Sequence, residues 1–301
     1  MKIGLLVSSN LLPGHAEARE DMFEYTEELS SLQSGFVTLG LTIDSVLWDT
    51  AEEHSADYDA FLPLMVWDYF EGNETRFLET MSRIHETTPI LNPPDLLRWN
   101  SDKRYLDEMA AKGATVIPTH TVEGVTERDA QVAFDAFGTD KIVIKPQVGG
   151  GAWRQVLHTK GEAWPNADEL PPEGALIQPF LPSVQSEGEY SFLYFGGTFS
   201  HALLKTAKSG DYRIQSIYGG AETTYHPSEA EIEAANTILA TLDEVPLYAR
   251  VDLLRGLDGE LALIELEMIE PYLYLPHADV IDGVNQGAVR LGKALIERLS
   301  A

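Results

Sequence analysis

Three shortages bound what this chain can be. Its 301 residues contain no cysteine, which excludes disulfides and thiolate metal sites and leaves only oxygen or imidazole ligands for a metal. No uncharged apolar run approaches the ~18–20 residues needed to cross a bilayer. The opening Met1-Lys2-Ile3-Gly4-Leu5-Leu6-Val7 is too short for a secretory signal and reads as a first strand. The chain is therefore expected in the cytoplasm and off the membrane. Cations are scarce as well: 21 Lys+Arg stand against 48 Asp+Glu, a formal charge of −27. That balance excludes non-specific binding to a nucleic-acid backbone. It also means that any pocket for a polyanion must gather its few cations locally.

What is present is ordinary for a globular protein: 44% hydrophobic and 23% charged residues. At roughly 100–200 residues per domain, the length allows two or three lobes. Residues 2–8, 42–48 and 59–67 read as buried strands, with helical spacing from Glu17 to Leu39 and from about Glu74 to Glu86. This alternation predicts a small α/β lobe with a mainly parallel sheet, ending at Asn92-Pro93-Pro94, where two prolines stop a continuing helix. Helices are expected over about 101–112 and 127–137, with strands around 115–117 and over 141–145. Short strands over 151–158, 175–179, 189–195 and 198–205 then suggest antiparallel sheet. Ser228 and Glu231 form a capping box for a helix within 227–242. Strands over 247–254 and 261–268 flank a Leu257-Asp258-Gly259-Glu260 turn, and a helix over about 285–299 closes the chain. There is no repeat and no low-complexity linker, so the lobes are expected to pack together.

Three constellations could carry chemistry. In Lys145-Pro146-Gln147-Val148-Gly149-Gly150-Gly151 a lysine ends an apolar strand and three glycines follow. Glycines let backbone N–H groups close over phosphate oxygens while the lysine adds a point charge. Alone, a glycine-rich hairpin with a surface lysine is the better account. The second constellation is Arg250-Val251-Asp252 with Glu265-Leu266-Glu267. The period of two puts Arg250 and Asp252 on one strand face and Glu265 and Glu267 on one face of its neighbour. Same-face carboxylates amid apolar residues need a neutralising cation, and hard oxygen ligands suit Mg²⁺, which favours a metal over a solvated face. The third is a scatter of cations, Lys103, Lys205 and Arg213, each by itself a surface residue as readily as a ligand. Among the histidines, His15 could face a cleft, but His201, His226 and His277 lack metal-ligand spacing, so zinc is not expected.

Their order along the chain is the informative feature. Residues 92 to about 275, through Asn92…Arg98-Trp99-Asn100-Ser101-Asp102-Lys103-Arg104-Tyr105-Leu106 and Glu265-Leu266-Glu267…Glu270-Pro271, resemble the ATP-grasp superfamily. The resemblance is to its glutathione-synthetase-like branch, which holds the O-ureidoserine cyclo-ligase group. It implies an α/β pre-ATP-grasp lobe over 1–94, a central lobe over 95–185 and a C-terminal lobe over 186–301. It further implies that Lys103 and Lys145 contact the nucleotide and that Gly149, Gly150 and Gly151 form a lid over its phosphates. Gln178, Phe180 and Leu181 would form the adenine hinge, with Glu187 as the ribose acceptor. Lys205, Arg213 and Arg250 would surround the γ-phosphate, with Asp252, Glu265 and Glu267 holding Mg²⁺. Glu267 stands where the superfamily usually has Asn. Tyr272-Leu273-Tyr274 replaces smaller residues in the acceptor pocket, and Trp67-Asp68-Tyr69-Phe70 lies where the branch faces its substrate.

The expected activity is ATP- and Mg²⁺-dependent ligation of a small amino-acid-like carboxylate through an acyl phosphate, with intramolecular ring closure as one form. ATP binding without turnover and phosphotransfer to a stable product are the rival readings. A homodimer is expected by resemblance only.

Overall fold

The computed structural model describes residues 1–208 and 219–300; Arg213 lies outside the described residues. Strand β1 (Lys2–Val7) leads into helix α1 (Met22–Val37), followed by β2 (Thr42–Leu47), β3 (Ala60–Met65) and α2 (Glu74–His85). The three strands are parallel with β1 at the centre. All six residues of β3 are buried, as expected where helices cover both faces of a parallel sheet. The first helix begins five residues later than the acidic spacing suggests.

Helix α3 (Pro94–Ser101) and α4 (Tyr105–Ala111) come next. The double proline therefore starts a helix as well as ending the preceding segment. Pro93 is the N-cap and Pro94 the first helical residue, where its missing N–H costs nothing and its φ is already helical. Residues 115–117 form no strand beyond a single bridge from Val116 to Leu263. The strand is instead β4 (His120–Val122). Helix α5 (Glu127–Phe137) is held at its start by the Thr126–Asp129 capping box and stopped by Gly138 at φ +62°. With β5 (Lys141–Pro146), β6 (Val156–Thr159) and β7 (Ala175–Pro179) it builds an antiparallel sheet ordered β4-β7-β5-β6. The glycine run stays a loop until β6 starts at Val156.

After a single helical turn α6 (Ser183–Ser186) come β8 (Glu189–Phe195), β9 (Thr198–Thr206), β10 (Ala221–Tyr225), α7 (Glu229–Leu239), β11 (Tyr248–Arg255) and β12 (Leu261–Glu267). These strands form a second antiparallel sheet, ordered β10-β9-β8-β11-β12. A short hairpin, β13 (Val280–Ile281) and β14 (Val284–Asn285), leads to α8 (Gln286–Ser300). Helix α8 returns to the N-terminal unit and packs on α1 at Gly35, where an added Cβ would sit 2.5 Å from that of Ala288.

The five-stranded sheet divides its residues by parity. Tyr190, Phe192 and Tyr194 of β8, with Ala249, Val251 and Leu253 of β11, pack on Tyr105, Leu106 and Met109 of α4 and Ala235 and Ile238 of α7. The opposite face is graded. Leu193, Phe195, Leu203 and Tyr248 join the core shared with α1 and α8. Further along the same face come Glu189, Asp252, Arg250 and Lys205, where the sheet borders a cavity.

Candidate active site

The cavity is about 670 Å³ in volume. It lies where the sheet of β5 and β7 meets the five-stranded sheet, with the N-terminal unit at one side. Lys103, Lys145, Gly149, Gly150, Gly151, Gln178, Phe180, Leu181, Lys205, Arg250, Asp252, Glu265 and Glu267 all line it. Residues up to 164 positions apart, from Lys103 to Glu267, thus converge as the sequence reading expects.

Strand parity delivers the acids. Arg250 pairs across the ladder with Glu267, and Asp252 with Glu265. Arg250 binds both Asp252, at 2.9 Å, and Glu267. Lys205 holds Glu189 at 2.6 Å and Asp252 at 3.5 Å, and Ser191 Oγ donates to Asp252 at 2.5 Å. Burial alone would push Asp252 up, but Arg250 and Lys205 bring it below the usual carboxylate range. Glu267 goes the other way. Burial is its largest influence, and even with Arg250 opposing, Asp252 and Glu265 help push it up to about 7.

Lys103 reaches Glu265 at 3.0 Å and the Gly149 carbonyl at 2.5 Å, joining the glycine loop to the acidic strand. Lys145 differs from its neighbours: its ammonium donates only to the Ile264 carbonyl, at 3.3 Å, and no carboxylate lies within ion-pair distance among the described residues. Burial and the nearby Lys103 pull its pKa down, against Glu265. A buried cation short of negative partners, facing a cavity, is suited to an anion.

The turn bearing Lys103 is locked to β12, an edge strand. Tyr105 Oη accepts from Leu266 N–H at 2.8 Å and donates to Leu266 O at 3.0 Å. Asn100 donates to Leu266 O and accepts from Met268 N–H, both at 2.8 Å. Asn92 does the same for Tyr248 O, Met268 O and Leu247 N–H. Asn100 and Tyr105 thus satisfy backbone groups along the edge of β12 and just beyond it, Asn92 those at Leu247, Tyr248 and Met268, and Lys103 among them pairs with the Glu265 side chain.

Some expected placements change. Glu187 is not on the cavity wall; it pairs with Arg255 at 2.8 Å and accepts from Tyr190 Oη. Glu189, two residues on, lines the cavity instead. Gly188 between them has φ +119°, so the turn, and not the composition, decides which acid faces in. Of residues 67–70, Trp67 and Phe70 line the cavity, Asp68 is taken up by Ser8 and Trp48, and Tyr69 is core. His15 sits in a loop and accepts from Glu17 N–H, away from the cavity wall. Arg19, which no sequence motif singles out, bonds Asp21 at 2.9 Å and lies over the Trp67 ring, and Glu270 of the Glu270-Pro271 pair accepts at its carbonyl from Trp67 Nε1. Both line the cavity.

Among the described residues no three acidic or histidine side chains are preassembled around a point where a metal would sit. The donor set is nonetheless suited to a hard cation. Asp252, Glu265 and Glu267 offer only oxygen, and the Arg250 guanidinium and Lys103 ammonium supply positive charge among them. No helix among the described residues is long and apolar enough to cross a membrane.

A family model for the N-terminal domain of D-cycloserine synthetase DcsG matches residues 3–92. The cycloserine biosynthesis protein DcsG of Streptomyces lavendulae is 30% identical over 277 residues, covering 87% of this chain and 90% of that protein. The crystal structure of D-cycloserine synthetase DcsG superposes with a TM-score of 0.81 at 25% identity, covering 99% of this chain and all of that one. The D-alanine–D-alanine ligase of Bacillus anthracis complexed with ATP shares the fold, with a TM-score of 0.66 at 14% identity over the whole of this chain and 97% of its own. The identity to DcsG along nearly its full length, on the same architecture, shows that the chain belongs to the DcsG family of ATP-grasp enzymes, which are ATP-dependent carboxylate–amine ligases.

Proposed function

We propose that this chain uses ATP to activate the carboxylate of a small amino-acid-like substrate and closes a ring by attack of a nitrogen of the same molecule, O-ureidoserine being the type of substrate. One observation carries the reading. In a chain of net charge −27, four buried cations, Lys103, Lys145, Lys205 and Arg250, face one cavity together with Asp252, Glu265 and Glu267. Buried cations gathered in this way, with carboxylates among them able to hold a divalent metal, have a use where a triphosphate binds.

In this reading Gln178, Phe180 and Leu181 border the base, and Glu189 takes the place first given to Glu187. Lys103 and Lys145 hold the phosphates, and Lys205 and Arg250 face the γ-phosphoryl group as it passes to the carboxylate oxygen. Asp252, Glu265 and Glu267 would hold Mg²⁺, which supplies charge neutralisation at the transferring phosphoryl oxygens when bound. Hydroxide leaves poorly and phosphate leaves readily, so the acyl phosphate makes the attack by nitrogen possible. Water must be kept out meanwhile, and the glycine loop is placed to do so: Gly150 already packs on Phe70, 3.2 Å from where its Cβ would be. The release of Mg²⁺-dependent ADP and phosphate with O-ureidoserine, and a product whose mass fits the ring, are the expected results. Lys145→Ala should abolish ADP formation. A stable phosphorylated product, or ATP binding without ADP formation across an amino-acid panel, would overturn the reading.

A further inference from the structure

Helix α1 turns a stripe of Tyr25, Glu28, Leu32, Gly35 and Phe36 towards the core. The spacing calls for leucine at position 28. Glu28 is 0% exposed, and neither of its carboxyl oxygens has a hydrogen-bond partner among the described residues. A carboxyl group buried in this way is destabilising whether charged or neutral, so its presence needs an explanation other than packing.

Its surroundings supply one. The group set against Glu28 is the peptide N–H of Leu273, a residue that is itself fully buried and whose N–H makes no backbone hydrogen bond among the described residues. Several other handles on the segment 272–274 are already held. The Tyr272 carbonyl accepts from Arg250 Nη1 at 3.3 Å, Tyr272 Oη donates to Glu27 at 3.0 Å, and the Leu273 carbonyl bonds His201 Nε2 at 2.9 Å. The Tyr274 ring lies against both Arg250 and Lys205. The peptide joining residues 272 and 273 thus lies between Arg250, on its oxygen side, and Glu28, on its nitrogen side.

We propose that Glu28 is a positioning residue for the ligase reaction: its carboxyl oxygen is the acceptor that the Leu273 N–H faces, and through that peptide it sets Tyr272, Tyr274 and the Arg250 guanidinium. Burial raises the Glu28 pKa well above the usual carboxylate range, against the Leu273 N–H and Arg250. A neutral carboxyl keeps its carbonyl oxygen as acceptor, so the role does not require charge.

The proposal rests on the ligase reading, and the two fail separately. Absence of ADP formation by the unaltered protein would reject the reading itself. Glu28→Leu and Glu28→Gln are compared with the unaltered protein for thermal midpoint, kcat, and KM for ATP. Glu28→Leu fills the stripe and removes the acceptor. It should match or exceed the parent midpoint while kcat falls at least tenfold and KM for ATP stays within twofold. Glu28→Gln keeps an acceptor oxygen and should recover kcat to within threefold of the parent. Retained kcat in Glu28→Leu, an equal loss in both variants, or a fall in midpoint that accounts for the lost activity would each overturn the assignment.

Discussion

The two faces of the five-stranded sheet are built from the same strands, offset by one residue, and have opposite tasks. Phe192 and Val251 are fully buried against hydrocarbon from α4 and α7. Ser191, Arg250 and Asp252, their immediate neighbours in sequence, are almost as buried but are satisfied by polar partners: one another, Lys205, Glu267 and the Tyr272 carbonyl. The apolar face gains stability from every residue. The charged face spends some of it to hold groups in place, because desolvating ions is repaid only where their geometry is complete. Function here is carried by the face whose burial is costly.

That contrast can be broken from either side. Phe192→Ala should have the largest effect, about 3–5 kcal/mol of lost stability from the vacated volume, with kcat of the remaining folded protein little changed. Urea unfolding alongside ADP release measures both, and a fall in kcat out of proportion to the folded fraction would show that the faces are coupled. Asp252→Asn should do the reverse, lowering kcat by about 10²–10³-fold, the loss of roughly 3–4 kcal/mol of transition-state stabilisation. Its thermal midpoint should move far less than that of Phe192→Ala.

His201 tests the border between the two ends of the charged face. Its pKa is lowered to about 4, mainly by burial, whereas the unfolded chain titrates near 6.5. The native state therefore refuses a proton that the unfolded chain accepts between those values. Stability should be unaffected above pH 6.5 and fall by roughly 2 kcal/mol by pH 5. Unfolding curves at pH 7.5 and 5 should show this slope in the parent and a flatter one in His201→Gln. Smallest is Tyr105→Phe, which keeps the ring but strips the hydroxyl from Leu266 N–H and C=O. It should cost about 1–2 kcal/mol in urea unfolding. A larger proportional loss in apparent Mg²⁺ affinity would show that the edge contacts aim Glu265 and Glu267.

Much of this was legible in the residues alone, wherever local chemistry settles a boundary. Helix α5 spans the residues its helical pattern predicts, with Thr126 and Gly138 at its ends, and the period of two of a strand puts the carboxylates on shared faces. The misses share one cause. Pro93-Pro94 reads as a stop from one side and a start from the other, and only packing selects. Glu187 and Glu189 are equivalent in composition, and the twist at Gly188 separates them. Glu28 fits a helical stripe by position and contradicts it by chemistry, and that contradiction becomes visible only once the tertiary neighbours are known. The edge role of Asn92, Asn100 and Tyr105 depends on partners more than 150 residues away.

The inward gathering of cations has a further kinetic consequence. With so few positive charges and five of them, Arg19, Lys103, Lys145, Lys205 and Arg250, lining one chamber, the outer shell is overwhelmingly anionic, so an approaching nucleotide crosses a repulsive field before reaching those cations. Dissolved electrolyte weakens the outer field over about 8–10 Å while scarcely touching the sheltered interior. Moderate ionic strength should therefore hasten nucleotide capture in this enzyme, the inverse of what is found where a basic funnel guides an anion home.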